Sequence, residues 1–175
     1  MNMARTFKLL TIDQLDEVME IINDAIELLS HLSLQWQQGY PNAEVMARDL
    51  KNNWVYGLYD GDALVAIASL VPGFNPDYAV IEKGNWTYPT GDNDATIHRI
   101  AVKAGYHDKK YGIDMVKFMI EESRRRGYKS LKADTHITNI AMQQLCLKNG
   151  FKYKGIIYIQ RDEEDNSRLA YEIVL

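Results

Sequence analysis

Cysteine is almost absent from this chain of 175 residues: Cys146 is the only one. That excludes an intrachain disulfide framework and points to a reducing, cytoplasmic compartment. Metal-ligand spacing is missing as well, because one cysteine and 4 scattered histidines form no ligand pattern. No apolar run approaches a membrane span, and Met1 to Lys8 lacks the apolar centre of a signal peptide. Positive charge is not in excess. Lys and Arg number 20 against 24 Asp and Glu, a net charge of −4, which argues against a nucleic-acid surface. The one cationic run, Arg124 to Arg126, follows Glu121 and Glu122 near a helix end, where it suits the helix dipole better than a phosphate. No Gly-x-Ser-x-Gly or similar nucleophile motif occurs, so a covalent acyl-enzyme is not expected. Repeats, low-complexity tracts and linkers are lacking too, and one domain over residues 1–175 is the expectation.

What is present is an ordinary globular composition, 46% hydrophobic and 25% charged. Arg5 to Leu10 reads as a short strand. Thr11 and Gln14 have capping-box spacing before a helix with Leu15, Val18, Met19, Ile22, Ile26 and Leu29 on one face. A second, shorter helix is predicted from Asn42 to about Asn52. Val55 to Tyr59 and Ala63 to Leu70 form a hairpin through Asp60-Gly61. Thr96 to Val102 is a strand, and Gly112 to Arg126 a helix ended by Gly127. Ser130 to Asp134 is a strand and Thr138 to Asn149 a helix closed by Gly150. Phe151 to Gln160 and Arg168 to Leu175 form a last hairpin with an acidic tip, Asp162 to Asp165. Strand–helix–strand–helix from Thr96 to Asn149 implies a parallel pair with a right-handed crossover, set in an α/β (α+β) mixed sheet.

Two loops invite chemistry. Pro72 to Asp94 holds three of the four prolines and Phe74, Tyr78, Trp86 and Tyr88; so long an aromatic loop is uncommon unless it serves a site. The other loop, His107-Asp108-Lys109-Lys110-Tyr111-Gly112, feeds a helix N-terminus, where free backbone N–H groups and a positive dipole end can hold an anion.

The stretch IHRIAV, a ten-residue loop, and a helix ending in RRRGYKSLKADTHITNIAMQQLCLKNGFKYKGIIY together resemble the cofactor-binding core of the GNAT N-acetyltransferase superfamily. The match is close over Thr96 to Tyr158. Its most specific piece is Asn139 followed by Asn149-Gly150-Phe151, and Trp36 to Asn42, WQQGYPN, is similar to a segment of one bacterial branch. The resemblance implies a V-shaped sheet of six to seven strands, its central parallel strands splayed, flanked by about four helices. It implies acetyl-CoA as co-substrate and acetyl transfer to a primary amine by direct attack. The pantetheine would pair with Ile100, Ala101 and Val102, the pyrophosphate would rest on the amides from His107 through Asp108, Lys109, Lys110 and Tyr111 to Gly112, and Asn139 would hold the cofactor arm. Amides near Ile100 would stabilise the oxyanion.

Departures from the pattern are specific. Without a gap, His107 takes the family's Gln/Arg place, Lys110 the middle glycine, and Gly112 the last position; a shifted register puts Gly112 on the middle glycine. The family's tyrosine acid is replaced by Cys146, which reads equally as a thiol donor or a small core residue. His98 is the candidate base, its alternative being a strand histidine bonded to a carbonyl. His136 would orient substrate or cap the turn. The acceptor, a small amine, amino acid or peptide N-terminus, would enter among Trp36, Tyr40, Phe74, Tyr78 and Trp86, which could instead fill the core beneath the loop. A rival reading is a catalytically degenerate CoA-binding or sensor domain. No membrane or nucleic-acid partner is expected, and a homodimer stays open.

Overall fold

Thr11 and Gln14 meet as their spacing predicts: the Thr11 N–H donates to Gln14 Oε1 at 3.1 Å. They first open a short 3-10 turn, Ile12–Gln14, and only then the long helix α1, Leu15–Leu32. The computed structural model describes residues 4–161 and 163–175, so Asp162 of the acidic tip lies outside the described residues, as does the side chain of Asp108. α1 follows strand β1, Arg5–Leu9, and buries Val18, Ile21, Ile22 and Ala25. Helix α2, Ala43–Lys51, is capped by Asn42, whose Oδ1 accepts from the Val45 N–H at 2.9 Å. Strands β2, Val55–Asp60, and β3, Ala63–Pro72, make the predicted hairpin.

Next come β4, Asp94–Val102; α3, Tyr111–Arg125; β5, Ser130–Thr135; and α4, Ile140–Lys148. β6, Lys152–Tyr158, and β7, Ser167–Val174, close the chain. α4 starts two residues later than predicted because Asn139 turns out to be its cap, Oδ1 accepting from the Met142 N–H at 3.2 Å. The seven strands form one mixed sheet in the order β1-β2-β3-β4-β5-β7-β6, antiparallel except for β4 beside β5.

That parallel pair decides the shape. β4 and β5 are in register only from Asp94 to Thr96 against Ser130 to Lys132, and beyond Thr96 the strands part. A buried ionic knot holds the closed end. Lys132 Nζ, fully buried, donates to Asp94 Oδ2 at 2.7 Å and Ser130 Oγ at 3.0 Å, with Glu172 Oε2 at 3.5 Å. A buried charge is tolerable only when its donors are taken up in this way.

α1 and α2 pack on one face of the sheet with Leu10, Val55, Leu64 and Ile67. The larger core, with α3 and α4, holds Tyr56, Met115, Met119, Leu131, Met142 and Cys146. The 73–93 loop forms a third, small core: Tyr78 sits with Ile157, Ile159 and Ala170, and Trp86 packs on Tyr78. Gly84 makes this cover possible, since a Cβ there would lie 1.8 Å from the Lys154 carbonyl oxygen. Among the described residues no helix is long and apolar enough to cross a membrane, and no group of three metal-ligating side chains forms.

Candidate active site

Where β4 and β5 part, a cleft of about 430 Å³ opens. Its wall on one side is the inner edge of β4, from Ile97 to Val102. Across from it stand Asp134 at the end of β5 and the start of α4, from Thr138 to Met142. α1 and the loop after it supply Leu28, Leu32, Gln35, Trp36 and Tyr40, while Asp77, Arg161 and Arg168 close the far end.

β4 is bulged at this point. Ser69 pairs with His98 and Ile67 with Ala101, so two residues of β4 stand opposite Ala68 alone. Arg99 takes up the irregularity with φ +52°, a left-handed backbone that a non-glycine residue adopts only under tertiary compulsion. The compulsion is visible in its side chain. Arg99 Nε donates to the fully buried Asp49 Oδ2 at 2.5 Å, and Nη1 donates to Tyr40 Oη at 2.7 Å. Simple alternation along IHRIAV would have turned Arg99 the other way; the bulge leaves no mark in the sequence.

His98 is half-buried on the cleft wall, with Asn75 Nδ2 at 3.4 Å from its Nε2. Burial, then the charges of Arg99, Arg161 and Arg48, hold its imidazole well below the usual pKa of 6.5. It is therefore neutral at pH 7 and carries a lone pair. Asp134 accepts from Tyr78 Oη at 2.6 Å, and burial raises its carboxyl above the ordinary range.

Ile100, Ala101 and Val102 all line the cleft, as do His107, Gly112 and Asn139. His107 to Lys109 form a 3-10 turn, and Lys110 follows with φ +61° and ψ +23° before α3 begins. A left-handed residue is what glycine serves best, so the ungapped alignment of Lys110 with a glycine position has a conformational counterpart. β1 braces this loop, Arg5 Nη2 donating to the Lys109 carbonyl at 2.9 Å while its guanidinium lies 4.4 Å over the Tyr111 ring. Tyr111 itself is buried, its hydroxyl donating to Asp60.

Asn139 is already engaged. Besides capping α4 it donates from Nδ2 to Gln35 Oε1 at 2.8 Å. Gln35 Oε1 also accepts from Thr135 Oγ1 at 2.8 Å and the His136 N–H at 3.3 Å. The α1–α2 loop thus spans from one arm of the V to the other, a link between residues about a hundred positions apart that the sequence does not announce.

Several expected site residues stand elsewhere. Cys146 is 1% exposed in the main core and does not line the cleft; burial pushes its thiol up to about 12. Of the five aromatic residues expected around an acceptor, Trp36 and Tyr40 line the cleft. Tyr78 and Trp86 belong to the core beneath the loop, and Phe74 is exposed away from the cleft. His136 is buried behind the wall: its Nδ1 accepts from the Thr138 N–H at 3.1 Å, and its Nε2 donates to Asp165 Oδ2 at 2.9 Å. Among the cleft residues that sequence reasoning missed are Gln35, Asp77, Arg99, Asp134, Arg161 and Arg168.

Comparison with known proteins follows the same lines. The sequence model described as the acetyltransferase (GNAT) family matches residues 16–151. No curated protein matches the chain. A GNAT-family acetyltransferase from Streptococcus agalactiae superposes with a TM-score of 0.88 at 25% identity, over 98% of this chain and 95% of that one. The ribosomal-protein-alanine N-acetyltransferase of Brucella melitensis gives 0.73 at 21% identity, over 97% and 99%. The structure of yncA from Salmonella typhimurium with its cofactor acetyl-CoA gives 0.70 at 16% identity, over 98% and 94%. The last two are likenesses of fold.

Proposed function

Because the chain belongs to the acetyltransferase (GNAT) family, we propose that it moves an acetyl group from acetyl-CoA directly to a primary amine, with His98 taking the amine proton. The observation that carries this reading is the parting of β4 from β5 beyond Thr96, next to a helix N-terminus. The freed inner edge of β4 suits an extended ligand bearing amide groups, which pairs as an added strand does. Pantetheine is such a ligand, and the amides from His107 to Gly112 at the start of α3 suit its pyrophosphate. Acetyl-CoA fits the residues present.

The chemistry then needs little. A neutral amine attacks the thioester carbonyl; the C–N bond forms, the C–S bond breaks, and CoA leaves as its thiolate. His98, neutral and lone-paired, accepts the proton directly or through water. Amides at the β4 bulge near Ile100 stabilise the oxyanion. Water protonates the thiolate, whose pKa lies near that of any thiol, and Cys146 at about 12 and out of the cleft contributes packing.

Purified protein with acetyl-CoA and a panel of primary amines, followed by release of free CoA thiol, tests the reading. Acetyl-CoA alone raises the melting temperature; at a hundredfold excess over Kd the gain is about 2.7 kcal/mol. Turnover with at least one amine is the expected result. Binding without turnover on any amine favours the degenerate CoA-binding reading, and the buried Cys146 in place of an acid is what speaks for it.

A further inference from the structure

The far end of the cleft gathers guanidinium groups around buried carboxylates. Asp49, fully buried, is shared by two guanidinium groups, Arg48 Nη2 at 2.9 Å and Arg99 Nε at 2.5 Å. Glu163, whose side chain is 2% exposed, is shared by Arg161 Nε at 3.0 Å and by Arg168. Each carboxylate is thus held between two guanidinium groups, and with Asp77 and Asp134 at the same end the charges roughly balance. Asp77 and Asp134 lie nearby; Asp77 Oδ1 accepts from the Gln160 N–H at 3.1 Å, and Asp134 is drawn towards its neutral form by burial.

Arg161 is the one of these cations built to meet a ligand. It lines the cleft on the β6–β7 connection. Its side chain keeps 35% of its surface exposed, whereas those of Arg99 and Arg168 keep 6% and 1%. The guanidinium carbon lies 3.6 Å from the Tyr40 ring centroid, and Glu163 fixes its Nε edge. Tyr40 is fixed in turn by Arg99 through its hydroxyl. The fork is thereby set in one plane, with Nη1 and Nη2 donating to no acceptor among the described residues. A planar, pre-oriented guanidinium with its terminal amino groups available matches a carboxylate through two parallel hydrogen bonds.

We propose that the acceptor carries a carboxylate close to its amine, as an amino acid does, and that Arg161 binds that carboxylate. The proposal rests on the amine-acetylating reading above. The Arg161 guanidinium that attracts the carboxylate also disfavours an ammonium beside it, and so favours the neutral amine that attacks.

The test is a set of L-amino acids and their carboxamides as paired acceptors, with kcat/KM read from CoA thiol release. The carboxamide has the more easily deprotonated amine, so intrinsic reactivity works against the expected preference. The wild type should favour the amino acid over its carboxamide by at least roughly tenfold, the scale of one charge-assisted hydrogen bond. Arg161→Gln should lose roughly 10- to 100-fold on the amino acid, chiefly through KM, and bring the ratio towards one. Arg161→Lys, which keeps the charge and loses the fork, should fall between. Carboxamides accepted as well as amino acids, or a ratio unchanged by Arg161→Gln, overturn the proposal. Should Arg161→Gln fail to fold, the wild-type ratio and Arg161→Lys decide. Acetylation of amines without carboxylate preference defeats this proposal alone, whereas acetyl-CoA binding with no amine acetylated defeats the reading beneath it as well.

Discussion

Asn139 Nδ2 donates to Gln35 Oε1 at 2.8 Å, across the mouth of the V, while Asn139 Oδ1 caps α4. One amide therefore both starts a helix and ties the α1–α2 loop to the opposite arm. Nδ2 carries two hydrogens, so a cofactor can take the second while Gln35 keeps the first.

Asn139→Ala removes both contacts and should cost about 1–2 kcal/mol of stability, the scale of a lost helix cap. Gln35→Ala should cost at least as much, because buried Thr135 and His136 lose their acceptor too, and the pair should show a coupling of about 0.5–1.5 kcal/mol in a double-mutant cycle read by urea unfolding. Additive effects would mean that the bridge carries no energy. A residue that only held cofactor would leave the unliganded fold untouched.

For His98 the expected loss in turnover on substitution by alanine is roughly a hundredfold. The pH dependence is sharper evidence. The ratio of wild-type to His98→Ala turnover cancels the acceptor's own ionisation. The imidazole is held well below 6.5 in the fold, so this ratio should stay level as pH falls to 6.5 and decline only at lower pH. A decline centred at 6.5 or above contradicts the assignment. The same shift acts on stability: below 6.5 the unfolded chain binds a proton here that the folded chain refuses. Stability fully present above 6.5 is lost as pH falls towards the folded pKa, and His98→Ala should lack that contribution.

Lys110 holds φ +61° at the start of the α3 loop. Glycine adopts that backbone without the steric cost, but it also loses more entropy on folding. Lys110→Gly should therefore come out about 0.5 kcal/mol more stable in urea unfolding, the relieved strain outweighing the entropy by a little. Destabilisation beyond 1 kcal/mol would show that the Lys110 side chain, and not its backbone, holds the loop.

Cys146→Ala should leave acetyl transfer within about twofold of wild type and lower stability by about 1 kcal/mol, as for a small void in a packed core. A large fall in turnover with unchanged melting would restore the thiol to the chemistry despite its burial.

The strands, the long helices and the parallel crossover were legible because periodicity and caps act over a few residues: the face of α1, the Asp60-Gly61 turn and the stop at Gly127 each follow from neighbours in sequence. Gln35, Arg99 and Arg161 were not, since each acquires its place from partners far along the chain. The bulge that turns Arg99 inward depends on Asp49 and Tyr40, which lie 50 and 59 residues away. The aromatic residues of the 73–93 loop suggested a site, yet Tyr78 and Trp86 mainly cover a face of β5, β7 and β6 that no helix packs against among the described residues. For Cys146, helical spacing does not distinguish the cleft from the core; only the packing of α4 does.

The parting of β4 from β5 also bears on how the protein should be handled. A strand edge open in the middle of a sheet is a template for any passing chain, and natural sheets shield such edges or pair them. From Ile97 to Val102 β4 has β3 on one side and, among the described residues, no strand on the other. A ligand lying there as a surrogate strand removes the template. On heating or concentration, the ligand-free protein should therefore be the form that precipitates, and acetyl-CoA added before either step should act as its protectant.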